Sequence, residues 1–88
     1  MKPKSLLTEV LYGRALSERE LEVLHAAANG ETMEETATRL WLSLETIKSH
    51  RRNVIAKLGA RNLSHAIALA VRSGLMSVES VEPVTAAA

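Results

Sequence analysis

Helix-start signals recur along this chain at short intervals and limit what it can fold into. Ser17 is followed three residues later by Glu20, and Thr32 is followed in the same way by Glu35. In such a capping box the hydroxyl and the carboxylate each accept a backbone N–H that the first helical turn leaves unpaired. Ser43 is a third residue of the type that caps helices. These signals predict at least three separate helices.

Glycines stand where those helices should end. Gly30, Gly59 and Gly74 each follow an apolar helical pattern, and glycine is the residue that most often ends a helix in the left-handed conformation. Either Asn62 or Ser64 is suited to cap a fourth helix, which would end at the last of these glycines.

Three residues, 41–43, join the short second helix to a longer third helix predicted over residues 44–58. A short helix, a tight turn and a longer helix form the helix-turn-helix plan. Trp41 lies in this turn and is expected to cover the packing of the two helices. The predicted fold is all-α, a four-helix helix-turn-helix domain with room for an extra N-terminal helix.

The composition fits one small helical domain. The chain has 88 residues, is 47% hydrophobic and 2% aromatic, and contains no cysteine. Disulfides and thiolate metal sites are therefore excluded. No apolar run approaches the roughly 20 residues that span a bilayer. We expect a cytoplasmic protein without a membrane contact.

The two ends are less clearly patterned than the middle. Residues 1–15 carry a weak apolar stripe and are open between a short helix packed on the domain and an unpacked arm. The folded domain is predicted over residues 16–76. The segment 77–88 changes to Ser, Val, Glu, Pro and Ala, which predicts a disordered tail.

Charge is distributed unevenly along the chain. Residues 18–35 contain six glutamates and one arginine, whereas residues 46–61 contain five lysines and arginines and no acid. A basic block of this kind is typical of a surface that faces a polyanion. A basic helix face that is merely solvated is the alternative.

The predicted third helix has two different faces. Ile47, Val54 and Leu58 form its core side at helical spacing. The opposite side carries small and polar side chains that suit base edges in a major groove, since cations donate to guanine, a carboxylate accepts from cytosine, and a hydroxyl does either. Those residues are Glu45, Lys48, Ser49, Arg52 and Ala56.

The flanks of this face carry groups that suit phosphates, which position a protein on DNA without reading its sequence. Two are hydroxyls near helix N-termini, where anions are favoured, and four are cations or near-cations. The predicted DNA-backbone residues are Thr32, Thr46, His50, Arg51, Lys57 and Arg61.

The residues give no support for an enzyme, a cofactor or a metal site. His25, His50 and His65 lack the spacing of a metal-binding motif. The chain has no aspartate or cysteine and no glycine-rich phosphate loop. We predict a protein that is not an enzyme and that binds no cofactor and no metal.

Three stretches together resemble the LuxR-type helix-turn-helix domains, as in the NarL/FixJ response regulators. Residues 16–24, LSERELEVL, resemble the opening of those domains, and residues 45–50, ETIKSH, resemble the core of their recognition helix. Residues 57–62, KLGARN, resemble the turn that follows it. The resemblance covers residues 16–76, and the motifs agree in order and spacing.

This resemblance implies a DNA-binding domain of a bacterial transcription regulator, with its third helix in the major groove. It also implies that Glu45, Lys48, Ser49 and Arg52 face bases. In that family the last helix often makes a two-fold dimer contact, so a homodimer is expected. The dimer residues expected from the resemblance are Leu63, Ala66, Ile67 and Ala70.

The chain also departs from the family. Thr36 stands where an aliphatic residue is usual, which predicts looser packing of the second helix, and Glu34 replaces a residue that is frequently basic or polar. Without aspartate, the sequence has no phospho-acceptor of a receiver domain. It acts alone, or is a fragment, or its switch is a separate signalling protein. RNA polymerase is a further expected partner. The alternatives are a promoter binder like region 4 of a sigma factor and a module that captures another regulator.

Overall fold

The structure, a computed structural model, describes residues 6–77 and residue 79 of the chain. This part is helical throughout its regular structure and contains no strand, which confirms the all-α prediction. The helices are α1 (Leu6–Leu11), α2 (Glu18–Ala28), α3 (Met33–Leu40), α4 (Leu44–Leu58) and α5 (Leu63–Arg72).

Both predicted capping boxes form. Ser17 Oγ accepts the Glu20 N–H at 3.1 Å, and Glu20 Oε1 accepts the Ser17 N–H at 3.0 Å. Thr32 Oγ1 accepts the Glu35 N–H at 3.1 Å, and Glu35 Oε1 accepts the Thr32 N–H at 2.8 Å. These bonds fix the first residues of α2 and α3.

A side-chain cap also begins each of the last two helices. Ser43 Oγ accepts the Thr46 N–H at 3.1 Å. Asn62, rather than Ser64, caps α5, because its Oδ1 accepts the His65 N–H at 2.8 Å. The Nδ1 atom of His65 in turn accepts the Arg61 N–H at 3.0 Å. This histidine is therefore part of the cap that turns the chain from α4 into α5.

Helix α4 is central and contacts each of the other helices of the described chain. Val23, Ala37 and Ile47 form a small cluster where α2, α3 and α4 meet. The larger cluster joins α2, α4, α5 and the turns after α4 and α5. Its buried members are Leu24, Val54, Ala60, Ala66, Ala70 and Met76.

The inner face of α5 corrects two expected dimer residues. Ala66 and Ala70 have no exposed surface within a single chain. Their small side chains let α5 lie close to the core, so neither can contact a second copy. Leu63 and Ile67 are partly buried against the same core and keep some exposed surface.

The N-terminal region forms a helix rather than an unpacked arm. Helix α1 packs on α4, and the Gly13 N–H donates to the Lys57 carbonyl at 2.9 Å. The ring of Tyr12 covers Gly59, where a Cβ would lie 2.5 Å from Tyr12 Cε1. Gly59 also has a φ of 65°, so glycine is favoured there for two reasons. Residues 1–5 lie outside the described part.

The turn between α3 and α4 differs from expectation. Trp41 ends α3 in the left-handed conformation, with a φ of 58°, and is 94% exposed. The prediction that it covers the packing of the two helices is therefore wrong. A non-glycine residue in this conformation costs on the order of 1 kcal/mol.

Thr36 is accommodated in the core without a lost hydrogen bond. Its side chain is fully buried, and its Oγ1 donates to Glu31 Oε1 at 2.8 Å and contacts the Thr32 carbonyl at 3.0 Å. Arg39 Nε also donates to Glu31, at 2.9 Å. Both hydrogen bonds hold the pKa of Glu31 below its usual value. This polar contact ties α3 to the loop before it.

The C-terminal segment folds back as far as Met76, which is buried. Of the tail predicted over 77–88, only Ser77 and Glu79 are described, and the other residues lie outside the described part. The disordered tail therefore stays a prediction.

Candidate nucleic-acid interface

The first half of α4 presents the four predicted base-reading residues on one side. The side chain of Glu45 is 80% exposed and that of Lys48 is 40% exposed. Arg52 is exposed, and Ser49 between them is partly exposed. At about 3.6 residues per turn these positions fall within one strip along the helix.

Two short contacts within the helix hold this strip in place. Lys48 Nζ lies 3.5 Å from Glu45 Oε1, and Arg52 Nη2 donates to Ser49 Oγ at 3.2 Å. Exposed pairs of this kind contribute only about 0.3–0.5 kcal/mol. Both cations can therefore exchange these partners for a stronger anion or for a base edge at little cost.

The strip ends before the last turns of α4, which corrects the expectation for Ala56. The helical period places Ala56 in line with Glu45, Ser49 and Arg52, yet it is only 2% exposed. Helix α1 packs on α4, and residues 12 and 13 contact the end of α4 at Lys57 and Gly59. The surface available to a ligand therefore belongs to the first half of the helix.

Lys57 is also placed differently from the expected phosphate contact. Its Nζ donates to Glu20 Oε1 at 2.7 Å and to the Ala15 carbonyl at 3.0 Å. The side chains of Lys57 and Glu20 are only 13% and 7% exposed. The ammonium group joins α4 to the start of α2 and is not presented to solvent, so we leave it out of the interface.

The environment of Glu20 favours its charged form. Burial raises the pKa of this carboxylate, but hydrogen bonds from Lys57 and from the Ser17 N–H, together with the charge of Lys57, lower the pKa by more than burial raises it. The net pKa lies below the usual value for a glutamate. One carboxylate thus completes the cap of α2 and neutralises the one lysine in the second half of α4.

Hydroxyl groups surround the N-terminus of α4 and of α3. Ser43 Oγ and Thr46 Oγ1 lie 2.8 Å apart at the start of α4. Thr32, exposed at the start of α3, uses its oxygen to accept the Glu35 N–H. A hydroxyl has one donor and two acceptor positions, so capping leaves Thr32 and Thr46 able to meet a phosphate.

The remaining predicted backbone cations lie within α4 and in the turn after it. Arg61 is exposed after α4, while His50 and Arg51 are partly buried. Within the described chain, His50 Nδ1 and Arg51 Nε are buried without a hydrogen-bond partner. Arg51 has further guanidinium N–H groups that can reach outward.

A second concave feature lies away from this strip. An open groove of about 670 Å³ is lined by residues of α2 and α3, the loop between them, and Leu75, and α4 contributes none of its lining.

No group of three potential metal ligands occurs in the region the structure describes. Within that same region, no helix has the length and apolar character needed to cross a bilayer.

Sequence reasoning missed two features of this region. The partnership of Lys57 with Glu20 joins residues that are far apart in the chain, and no local pattern announces it. The position of Trp41 at the end of α3 was a local signal for its exposure. A helix often ends at a residue in the left-handed conformation, and the chain then turns away from the helix.

Comparisons with known proteins place these elements in a family. Residues 14–70 match the family described as bacterial regulatory proteins, luxR family. This stretch contains α2, α3 and α4 and most of α5. It therefore covers the whole strip on α4 as well as the predicted phosphate contacts.

Individual relatives agree with the family match. The chain is 44% identical over 70 residues to the transcriptional activator protein EchR of Dickeya chrysanthemi, which covers 80% of this chain and 27% of that protein. It is 45% identical over 60 residues to the transcriptional activator protein ExpR of Dickeya dadantii, covering 68% of this chain and 24% of that protein.

A more distant relative is the uncharacterised transcriptional regulatory protein YxjL of Bacillus subtilis. It is 35% identical over 60 residues, which cover 68% of this chain and 28% of that protein. The chain thus spans about a quarter of the length of these relatives.

Proposed function

The chain belongs to the LuxR family of bacterial regulatory proteins, and from that premise we propose that it regulates transcription by binding double-stranded DNA in a sequence-specific manner. In this proposal the first half of α4 enters the major groove. Lys48, Ser49 and Arg52 read base edges, and Glu45 accepts from cytosine or rejects other bases. No catalytic step, cofactor or metal is part of it.

The observation that carries the proposal is the exposed strip on α4. Its two cations are held only by weak surface pairs, while the lysine of the second half is already neutralised inside the protein. Of the lysines and arginines within α4, those that remain accessible therefore lie in its first half. Arg51, Arg61 and the hydroxyls of Thr32 and Thr46 would contact phosphates along its edges.

We also propose that two copies bind two half-sites about one helical turn apart, as is usual for dimeric helix-turn-helix proteins. The contact would use the outer side of α5, where Leu63, Ile67 and Val71 are partly exposed and Ala68 is exposed. The family resemblance supports this arrangement. The buried Ala66 and Ala70 have no part in it.

Sequence-specific DNA binding is tested by using the purified protein to select bound sequences from a random duplex library. The Lys48→Ala/Arg52→Ala variant is compared with Arg19→Ala/Arg72→Ala, which removes the same charge from α2 and α5. We expect an enriched motif with the wild type and the control, and none with the α4 variant. Each lost base contact should cost about 1–3 kcal/mol of binding free energy.

The same selection separates the alternatives. Equal loss in both variants would mean that net charge rather than the strip supports binding, which contradicts the proposal. No motif with the wild type would favour a module that captures another regulator. A motif found only when RNA polymerase is added would favour a promoter binder like region 4 of a sigma factor.

The dimer has its own test. Ala68→Glu places a charge on the exposed side of α5, where it does not touch the core. We expect this variant to fold and to bind one half-site, with loss of the two-site complex in sedimentation. A wild type that binds its selected duplex as a single copy would contradict the dimer.

A further inference from the structure

Trp41 is the chain's one tryptophan, and folding does not account for it. Its side chain is 94% exposed and so adds nothing to the core. Its φ of 58° lies in a region that glycine and asparagine adopt readily and that a bulky side chain disfavours. Glycine would stabilise the fold more than tryptophan at this position. A contact outside the chain would therefore explain the indole ring.

The position of Trp41 places it beside the proposed interface. Its N–H donates to the Thr38 carbonyl at 3.3 Å and ends α3, two residues before Ser43 caps α4. In helix-turn-helix proteins the N-terminal residues of the recognition helix contact the base edges. The chain that leads into α4 must then pass close to the wall of the groove.

The surroundings of Trp41 favour a polyanion. Residues 36–44 contain one cation, Arg39, and no acid. On either side of this segment, Glu31 is paired with Arg39 at 2.9 Å and Glu45, at the start of α4, is paired with Lys48 at 3.5 Å. No unpaired negative charge in this segment would repel a phosphate.

The surroundings also disfavour a protein partner. A tryptophan that anchors a protein interface usually lies within a well-packed patch. The neighbours of Trp41, Leu40 and Leu42, pack on the core. The residues beyond them, Thr38, Arg39 and Ser43, are exposed and polar. The other large apolar side chains exposed in the described chain belong to α1, to Tyr12 after it, and to Leu75 after α5.

We propose that Trp41 binds the sugar–phosphate backbone of DNA at the edge of the groove that α4 enters. The indole Nε1–H donates to a phosphate oxygen, and the ring packs against the neighbouring deoxyribose. This contact anchors the turn before the recognition helix and carries no base preference. It rests on the proposed placement of α4 in DNA.

Tryptophan fluorescence tests the contact directly, because the chain has no second tryptophan. The wild type is titrated with the duplex recovered by the selection and with a scrambled duplex, while the anisotropy of a dye on the DNA reports binding. Excitation is chosen where Tyr12 does not absorb. We expect the tryptophan emission to change, and its quenching by acrylamide to fall, as the anisotropy rises.

Trp41→Gly separates binding from folding, since glycine adopts the left-handed conformation without strain. We expect affinity for both duplexes to fall about fivefold to tenfold, as for loss of one hydrogen bond to a charged group, with no loss of thermal stability. The slope of affinity against salt should stay unchanged, because no cation is removed. Trp41→Phe keeps a ring but lacks the N–H donor, so its affinity for DNA should lie between those of the wild type and Trp41→Gly.

The control is Leu6→Ala, which removes another exposed apolar side chain, on α1, and should leave affinity unchanged. DNA binding with unchanged tryptophan quenching and full affinity of Trp41→Gly would overturn this contact and leave the proposed function intact. Absence of any duplex binding would overturn both. Protection of Trp41 that depends on protein concentration without DNA would assign the ring to a second copy and overturn the contact.

Discussion

The two halves of α4 belong to one helix and lie in different environments. Over residues 44–52 the helix buries Ile47 and exposes the opposite side. Over residues 53–58 it buries Val54 and also Ala56, which lies about 200° away around the helix. The second half is therefore enclosed on both sides, although it too carries a cation, Lys57.

The difference teaches that a basic helix is not a uniform surface. The second half is enclosed because α1 and the start of α2 pack there, and Lys57 is drawn into an ion pair with Glu20. The first half lies beyond these elements. One part of the helix anchors it in the domain, and the other part is left free for a ligand.

Of the substitutions that test the difference between the two halves of α4, Lys57→Ala is expected to lower stability most. It leaves the largely buried Glu20 carboxylate and the Ala15 carbonyl without their shared donor. We expect a loss of about 3 kcal/mol in the free energy of unfolding, measured by urea denaturation.

Arg52→Ala is the matched control in the first half and should change the free energy of unfolding by no more than about 0.5 kcal/mol. Equal stability of the two variants would mean that Lys57 is as free as Arg52. The division of α4 into two halves would then be wrong.

A pair of leucine substitutions tests the same division by volume. Ala56→Leu adds side-chain atoms where the helix is enclosed, and overpacking should cost about 1–3 kcal/mol. Ser49→Leu adds a similar volume on the strip and should leave stability within about 0.5 kcal/mol of the wild type. Thermal unfolding of both proteins at equal concentration measures the difference. Tolerance of leucine at position 56 would show that α1 does not enclose this end.

A smaller effect is expected on acidification, because protonation removes the charge of Glu20 but keeps its atoms in place. The pKa of Glu20 is lower in the folded protein than in the unfolded chain. The stability it contributes is thus present above the unfolded-state pKa and is lost as the pH falls through the folded-state pKa. Urea midpoints measured through the acidic range should fall more steeply for the wild type than for Glu20→Gln. Parallel curves would contradict the charged pair.

Local signals were sufficient for much of the fold. The two capping boxes, Ser43 and Gly59 correctly marked where helices begin and end, because each acts within a few residues of the chain. The assignment of Glu45, Lys48, Ser49 and Arg52 to one strip followed from the helical period alone. These features do not depend on how the helices pack.

The inferences that failed were those that depended on a neighbour. Ala56 has the same helical phase as Arg52, and Ala66 and Ala70 looked suitable for a contact between copies. Whether such a residue is exposed depends on which element lies over it. Trp41 failed for a related reason, since an apolar residue can fill a core only if its backbone directs it inward.

The order of the residues determines the helix boundaries, the position of the turn between α3 and α4, and the chemistry of the outward strip, because caps, glycines and periodicity act over short distances. The order of the residues does not determine which half of α4 is free, which lysine is neutralised or which face of α5 is available. These properties arise when α1 and α2 pack against α4, because burial and ion pairing depend on contacts between residues that are distant in the chain.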